Sequence, residues 1–179
     1  MLAALTLTAG LALLPVATQQ TAGQAADKVT FTVAFNSDVD SLNPFLGVEA
    51  TSYELWAITY DFLVNYSMKD MSPEPGLAKS WDTSADGKTW TFHVRDGVKW
   101  SDGKPLVPAD VITTFKLQKK IKGGYDYLQS VTAEGANKVK FSFSTAWSPA
   151  LYDVGQLTLL PDHVWSKIKD PRRLPTTPR

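Results

Sequence analysis

Three Asp-Gly pairs in quick succession, Asp86-Gly87, Asp96-Gly97 and Asp102-Gly103, constrain the fold of this chain more than any other feature. Asp-Gly is a strong turn former, because glycine adopts positive φ without steric cost and aspartate bonds to nearby backbone amides. Between the first two pairs, residues 89–95 alternate apolar and polar side chains, which is the period of a strand with one buried face. The sequence therefore predicts a β-hairpin here, with its even-numbered apolar side chains facing the core.

The segment before this hairpin is predicted to hold a strand and a helix. Residues 29–35 alternate apolar and polar side chains at first and predict an opening strand. Thr51 and Glu54 have the spacing of a capping box, which predicts the start of a helix of about three turns. The side chains expected on its inner face are Leu55, Ile58, Thr59 and Phe62.

A second helix and a second hairpin are predicted after the Asp-Gly pairs. Pro108 and Asp110 suit a helix start, since proline fits a position that needs no N–H and aspartate meets the positive end of the dipole. Residues 131–143 predict a hairpin that turns at Gly135. This mixture of hairpins and helices favours an α/β (mixed α+β) fold.

The N-terminal segment differs from the rest in composition. Residues 1–26 carry no charged side chain, and Leu2 to Val16 is mainly apolar, about as long as the core of a signal peptide. Gly23-Gln24-Ala25 has the small-x-small pattern of a cleavage site, although the usual positive residues at the start are missing. We expect a signal-peptide-like segment over 1–26; the alternative is a buried N-terminal helix.

Composition excludes several classes of function. The 18 Lys+Arg balance the 18 Asp+Glu, so no basic surface is expected and nucleic acid is not a predicted partner. The chain has no Cys, which excludes a disulfide framework, thiol catalysis and a lipid-modified cysteine. No phosphate-cradling glycine motif is present, and we predict no cofactor and no metal.

Two histidines limit the catalytic possibilities. His93 is expected on the solvated face of the predicted strand, and His163 at a helix start where it packs or caps. No G-x-S-x-G elbow presents a serine nucleophile, and Asp38-Val39-Asp40 lacks the further ligands of a calcium loop. The aspartates of the Asp-Gly pairs are explained by their turns. The sequence therefore predicts a protein that is not an enzyme.

Several motifs nevertheless occur in an order that is characteristic of one family. They are Ser41-Leu42-Asn43-Pro44, Pro75 to Trp81 (PGLAKSW), Asp86 to Arg95 (DGKTWTFHVR), Gly97 to Pro105 (GVKWSDGKP) with Ala109-Asp110-Val111, and Leu160 to Trp165 (LPDHVW). Together they resemble the oligopeptide-, dipeptide- and nickel-type solute-binding proteins of ATP-binding-cassette importers. The resemblance covers roughly residues 29–166. Val107 departs from it, because the family usually has threonine or a similar cap there.

The resemblance implies a periplasmic-binding-protein-like type II fold, incomplete, with the first lobe and the inserted subdomain only. The expected organisation is 1–26 signal-peptide-like segment, 27–166 partial first lobe with inserted subdomain, and 167–179 off-pattern tail. In this family two lobes close around the ligand, so a truncated N-terminal fragment with one lobe is expected to bind weakly or not at all. Trp81, Trp90 and Trp100 are expected to pack in the scaffold.

Function and site residues follow from the same resemblance. It implies binding of a peptide or similar small solute, delivery to an importer permease in the membrane, a monomer, and a secreted or cell-surface/periplasmic location. The candidate ligand-binding residues are Val48, Glu49, Ala50, Ser52, Tyr125 and Tyr127. The first four would pair with the main chain of an extended peptide, or form an ordinary loop before the first helix. The two tyrosines would line the cleft, or pack inside the subdomain.

Two other functional hypotheses remain open at this point. One is a degraded gene product without function, which would expose apolar surface left by the missing lobe. The other is a secreted hydrolase that depends on His93 or His163. Substitution of either histidine would separate the hydrolase from the binding protein.

Overall fold

The structure is a computed structural model that describes residues 30–35 and 37–173. Residues 30–34 belong to a first unit, Met1–Ala34, and all that follows concerns the second unit, Phe35–Arg179. The predicted signal-peptide-like segment lies outside the described residues. The predicted opening strand is wrong where it is described, since residues 30–35 lie in no strand. An alternating segment becomes a strand only when another strand pairs with it, and none does so among the described residues.

Ten helices and strands and one 3-10 turn follow one another in the described residues of this unit. They are α1 (Ala50–Thr59), β1 (Val64–Tyr66), β2 (Pro73–Pro75), β3 (Ala78–Thr83), β4 (Thr89–Val94), α2 (Pro108–Lys122), β5 (Leu128–Ala133), β6 (Lys138–Phe143), α3 (Ala150–Asp153), α4 (Asp162–Trp165) and the 3-10 turn Pro171–Arg173.

An antiparallel four-stranded sheet in the order β3-β4-β6-β5 is the centre of the fold. Both predicted hairpins are present: β3 pairs with β4 around Gly87, and β5 pairs with β6 around Gly135. Gly87 has φ +67°, where an L side chain would be strained, and the Asp86 carboxylate accepts from the Lys88 N–H at 3.1 Å. The pair Asp86-Gly87 therefore forms the turn that the sequence predicts. β1 and β2 form a separate two-stranded sheet.

The main core lies between one face of the four-stranded sheet and α2. Phe141 on β6 is fully buried and makes edge-on contacts with Phe92 on β4 at 5.4 Å and with Phe115 on α2 at 4.8 Å between ring centroids. Such aromatic pairs add about 0.5–1.5 kcal/mol each beyond their buried area. The three tryptophans predicted to pack do contact this core: Trp81, Trp90 and Trp100.

The start of α2 is held by one buried carboxylate. Asp110 is 1% exposed and accepts from the Trp100 indole N–H at 3.0 Å, the Val107 N–H at 2.8 Å and the Asp162 N–H at 2.7 Å. Asp110 thus supplies half of a capping box, while Val107, at the N-cap, has no side-chain oxygen to supply the other half. The helix begins at Pro108 as predicted, and Asp110 also ties it to the preceding turn and to α4.

Two predictions about α1 are wrong: which side chains face the core, and that Thr51 caps the helix. Its buried side chains are Thr51, Ser52 and Trp56, whereas Ile58 is 77% exposed. The Thr51 hydroxyl donates to the Asp38 carbonyl at 3.0 Å instead of capping the helix, which starts at Ala50. The inner face is polar because it packs on a loop whose oxygens accept from these hydroxyls, and an apolar periodicity cannot reveal this.

Residues 167–173 are the first part of the expected off-pattern tail. In the structure they pack against the rest of the second unit. Pro171 is buried, and its carbonyl accepts from the Asn43 side-chain amide at 2.8 Å. Phe45 and Trp165 meet edge-on nearby, with ring centroids 5.5 Å apart. A loop before α1 and the last described turn are therefore joined through a small second core.

Candidate binding cleft

A cleft of about 440 Å³ opens where α1, the end of α2 and α3 approach one another. This volume is within the range of small-molecule sites in proteins. The lining residues are Pro44, Tyr53, Trp56, Phe62, Gln118, Lys122, Tyr125, Tyr152, Asp153, Gln156, Leu157 and Thr158. The set is aromatic with a few amide and charged groups, a composition that is typical of sites for small organic ligands.

Tyr125 enters the cleft from the loop that follows α2. It has φ +58°, and two glycines at φ +71° and +75° precede it. Positive φ is uncommon for a bulky residue and is held only where surrounding contacts fix it. The contacts here are edge-on packing against Phe115 at 5.8 Å and a tilted approach to Tyr127 at 6.1 Å. Tyr125 is therefore part of this lining in a constrained conformation and also packs on the core, and its role toward a ligand stays a prediction.

Tyr127, the second predicted tyrosine, lies behind the lining. Its ring stacks on Trp147 with centroids 3.9 Å apart and planes at 16°. Its hydroxyl donates to Asp153 Oδ2 at 3.2 Å, and the Trp147 indole N–H donates to the same oxygen at 2.8 Å. Burial raises the pKa of Tyr127 to about 12, and the Asp153 carboxylate adds to the rise because it disfavours a second negative charge.

Asp153 and Lys122 are the charged residues of the lining. Asp153 ends α3 and is oriented by the two aromatic donors just described. Lys122 ends α2, and burial lowers the pKa of its ammonium group, because the charged form has lost hydration. Within residues 30–35 and 37–173, no ion pair involves Lys122.

Val48, Glu49, Ala50 and Ser52 were predicted to pair with a peptide or to form an ordinary loop, and three of them, Val48, Glu49 and Ser52, bond to the carboxylate of Asp40. Asp40 accepts from the Val48 N–H at 2.8 Å, the Glu49 N–H at 3.4 Å and the Ser52 hydroxyl at 2.5 Å. The Ser52 hydroxyl, followed by the Val48 N–H, lowers the pKa of Asp40.

These four residues are not among those that line the cleft, whereas Tyr53 and Trp56 of the same helix are. Their role toward a ligand stays a prediction.

Both histidines pair with aspartates away from the cleft lining. His93 Nε2 lies 2.6 Å from Asp82 Oδ2 on the sheet, and His163 Nε2 lies 2.7 Å from Asp102 Oδ2. The second pair joins the third Asp-Gly turn to α4. Within the part of the chain that the structure describes, no three His, Cys, Asp or Glu side chains are grouped so as to hold a metal ion. No helix there combines the length and apolar composition needed to cross a bilayer.

Sequence reasoning did not single out Trp56, Lys122 or Asp153. Lys122 lies in the last turn of α2, where a cation complements the helix dipole, so a lysine at that position gives no signal of a cleft. Asp153 had no motif around it. The partly buried Trp147 indole and Tyr127 hydroxyl both need an acceptor, but only the fold shows that Asp153 supplies it.

The model of the bacterial extracellular solute-binding proteins, family 5, matches residues 72–177. The chain therefore belongs to this family.

Two curated relatives come from Escherichia coli (strain K12). The dipeptide-binding protein is 33% identical over 139 residues, which cover 64% of this chain and 26% of that protein. The nickel-binding periplasmic protein is 33% identical over 138 residues, which cover 73% of this chain and 25% of that protein. This chain spans about a quarter of the length of both.

A solved structure shows the same fold. The ABC transporter-associated periplasmic binding protein DppA from Helicobacter pylori, in complex with the peptide STSA, superposes with a TM-score of 0.61 at 26% identity. The match covers 71% of this chain and 30% of that one. The expected type II periplasmic-binding-protein fold, of which the chain holds a part, is confirmed.

Proposed function

We propose that this chain binds short peptides outside the cell, as part of the solute-binding component that serves an ATP-binding-cassette importer. The observation that carries the proposal is the aromatic cleft with its two charged groups, Asp153 and Lys122, in a chain whose relatives include a dipeptide-binding protein. Aromatic rings accept varied side chains by stacking, while polar groups fix the orientation of a ligand.

Delivery follows the mechanism that the resemblance implies. Two lobes close around the solute, and the closed form engages the membrane permease. This chain spans about a quarter of the length of its relatives, and the proposal is that its cleft supplies one wall of the whole site. We therefore expect affinity weaker than micromolar for the chain alone, because a ligand held on one side makes fewer contacts to offset the cost of association.

The test is a titration of the isotope-labelled chain with a mixture of dipeptides, followed by nuclear magnetic resonance, which detects weak complexes. Tyr53→Ala removes an aromatic ring that lines the cleft and should weaken binding several-fold. Ile58→Ala is the matched control, because Ile58 lies on the same helix, is 77% exposed and is not part of the lining.

No saturable shift at the highest soluble peptide concentration would contradict the proposal. An equal loss of peptide affinity in Tyr53→Ala and Ile58→Ala would contradict the assignment of this cleft as the binding site.

A further inference from the structure

The charged residues of this chain balance in number, yet they are not evenly distributed. Between Asp110 and Asp126 the chain has four lysines and no acidic residue. Residues 167–173 have four cationic side chains and one acidic residue, Asp170. The overall neutrality predicts no basic surface, but two segments of this kind produce one when the fold places them side by side.

The fold does bring the two segments together. Leu117 and Ile121 of α2 pack, as Ile168 does, against the small second core that holds Trp165. α2 also contacts α4, which ends two residues before Lys167. Both segments therefore flank one core with their charged side chains exposed, and together they form a surface that we name the basic patch: Lys116, Lys119, Lys120, Lys167, Lys169, Arg172 and Arg173.

Ion pairs within the protein leave most of this charge in place. Asp170 lies 3.3 Å from Arg172 Nε and 3.4 Å from Arg173 Nε. Among the ion pairs of the described residues, none includes a lysine of the basic patch. The acidic residue of α4, Asp162, accepts from the Thr113 hydroxyl instead. The lysine charges of the basic patch thus remain available to a partner.

The helix dipole accounts for only part of the arrangement. Lys119 and Lys120 lie in the last turn of α2, where cations are favourable. Lys116 lies a turn earlier, on the same exposed face at i, i+3 and i+4 spacing. The cations of residues 167–173 belong to another segment. Like charges held on one surface repel each other, and an anionic partner removes this cost.

We propose that the basic patch holds the protein against a bilayer surface that carries anionic lipid headgroups. The charges are carried mainly by long, flexible lysine side chains, which match headgroups that move freely in the plane of the bilayer. None of the members is aromatic, so the patch offers no platform on which a nucleic-acid base would stack. The family is extracellular, and the importer that we propose it serves lies in the membrane. This inference goes beyond solute binding and does not depend on the ligand.

The test is co-sedimentation of the full chain, without peptide, with vesicles of two compositions. One is phosphatidylcholine alone, and the other is a two-to-one mixture of phosphatidylcholine and phosphatidylglycerol. The measured quantity is the ratio of the two partition coefficients, because any apolar contribution, such as one from residues 1–26, is common to both. We expect a ratio of about ten or more at low salt. It should fall to about one at about 1 M salt, where the screening length is about 3 Å.

Two triple variants locate the contact. The first replaces the patch lysines of α2: Lys116→Gln, Lys119→Gln and Lys120→Gln. Each cation removed should weaken binding to the anionic vesicles about fivefold, the equivalent of about 1 kcal/mol. The matched control removes the same charge from exposed lysines elsewhere and should weaken binding less than about threefold. Its substitutions are Lys69→Gln, Lys88→Gln and Lys138→Gln.

Several results would overturn the proposal. A ratio of one at low salt excludes recognition of anionic headgroups, and an equal loss in both triple variants shows that net charge governs binding instead of the basic patch. Capture of the chain by a poly-glutamate resin without binding to the anionic vesicles would replace the bilayer with an acidic protein partner. If either variant fails to fold, as judged by circular dichroism, the comparison of vesicles with the unmodified chain still decides. Because no peptide is present, failure of this inference leaves the proposed function intact.

Discussion

Removal of the Asp110 carboxylate is the sharpest test of how this fold is held together. The side chain is 1% exposed and accepts three N–H groups, from Trp100, Val107 and Asp162. In Asp110→Ala the first and third donors are left without an acceptor in partly buried surroundings, at about 1–3 kcal/mol each. Loss of the bond to the Val107 N–H removes part of the helix cap, at about 1 kcal/mol.

The expected loss for Asp110→Ala is therefore about 3–7 kcal/mol, a large part of the 5–15 kcal/mol of a typical domain. Asp110→Asn keeps one oxygen where Oδ2 accepts from Trp100 and Val107, and loses only the bond from the Asp162 N–H. It also removes the cost of burying a charge. We expect about 1–3 kcal/mol for this variant.

Urea denaturation followed by tryptophan fluorescence measures these values through the midpoint and the slope. Asp126→Ala is the matched control: Asp126 is exposed, and its loss should change stability by less than about 0.5 kcal/mol. Asp110 does not hold the start of α2 as described if Asp110→Ala costs no more than Asp110→Asn, or if both variants are as stable as the control.

Three further predictions concern the cleft and the core. Tyr127 should ionise near pH 12; because its folded pKa lies above the ordinary value of 10, stability should fall as pH rises from 10 to 12, and Asp153→Asn should lower that pKa in an absorbance titration at alkaline pH. Gly47→Ala should destabilise by about 1–3 kcal/mol in thermal unfolding, because the new Cβ would lie 2.5 Å from the Trp56 ring; no change would show that the ring moves freely. Phe141→Ala should cost about 3–5 kcal/mol in urea unfolding through the cavity left between sheet and helix, and a cost below 1 kcal/mol would contradict the described core.

The hairpins and α2 could be predicted from the sequence because their signals are local. Asp86-Gly87 forms its turn with its own neighbours, and the alternation of residues 89–94 matches the burial of Phe92 and Val94 in β4. Pro108 marks the first residue of α2 in the sequence and in the structure. Each of these features depends on atoms within a few residues of one another, so a short stretch of sequence is enough to predict it.

The inner face of α1 and the cleft could not be predicted in this way. Thr51 and Ser52 are buried because a loop that precedes them in the chain offers oxygens to their hydroxyls. Lys122 and Asp153 come together only after α2 and α3 have packed. Tyr125 was singled out through the family resemblance, since no local pattern distinguishes a cleft tyrosine from a core tyrosine, and its role toward a ligand stays a prediction.

The strand order has a consequence for the route by which this chain folds. β4 and β6 are neighbours at the centre of the sheet, with Thr89 opposite Ser142, although α2 lies between them in the chain. Each hairpin closes locally within microseconds, but a two-stranded hairpin alone is marginally stable in water. We therefore expect the slow event to be the docking of one hairpin onto the other, while α2 packs against β5 and β6. Substitutions along the β4–β6 seam should slow refolding, whereas those on the outer edge of β3 should mainly hasten unfolding.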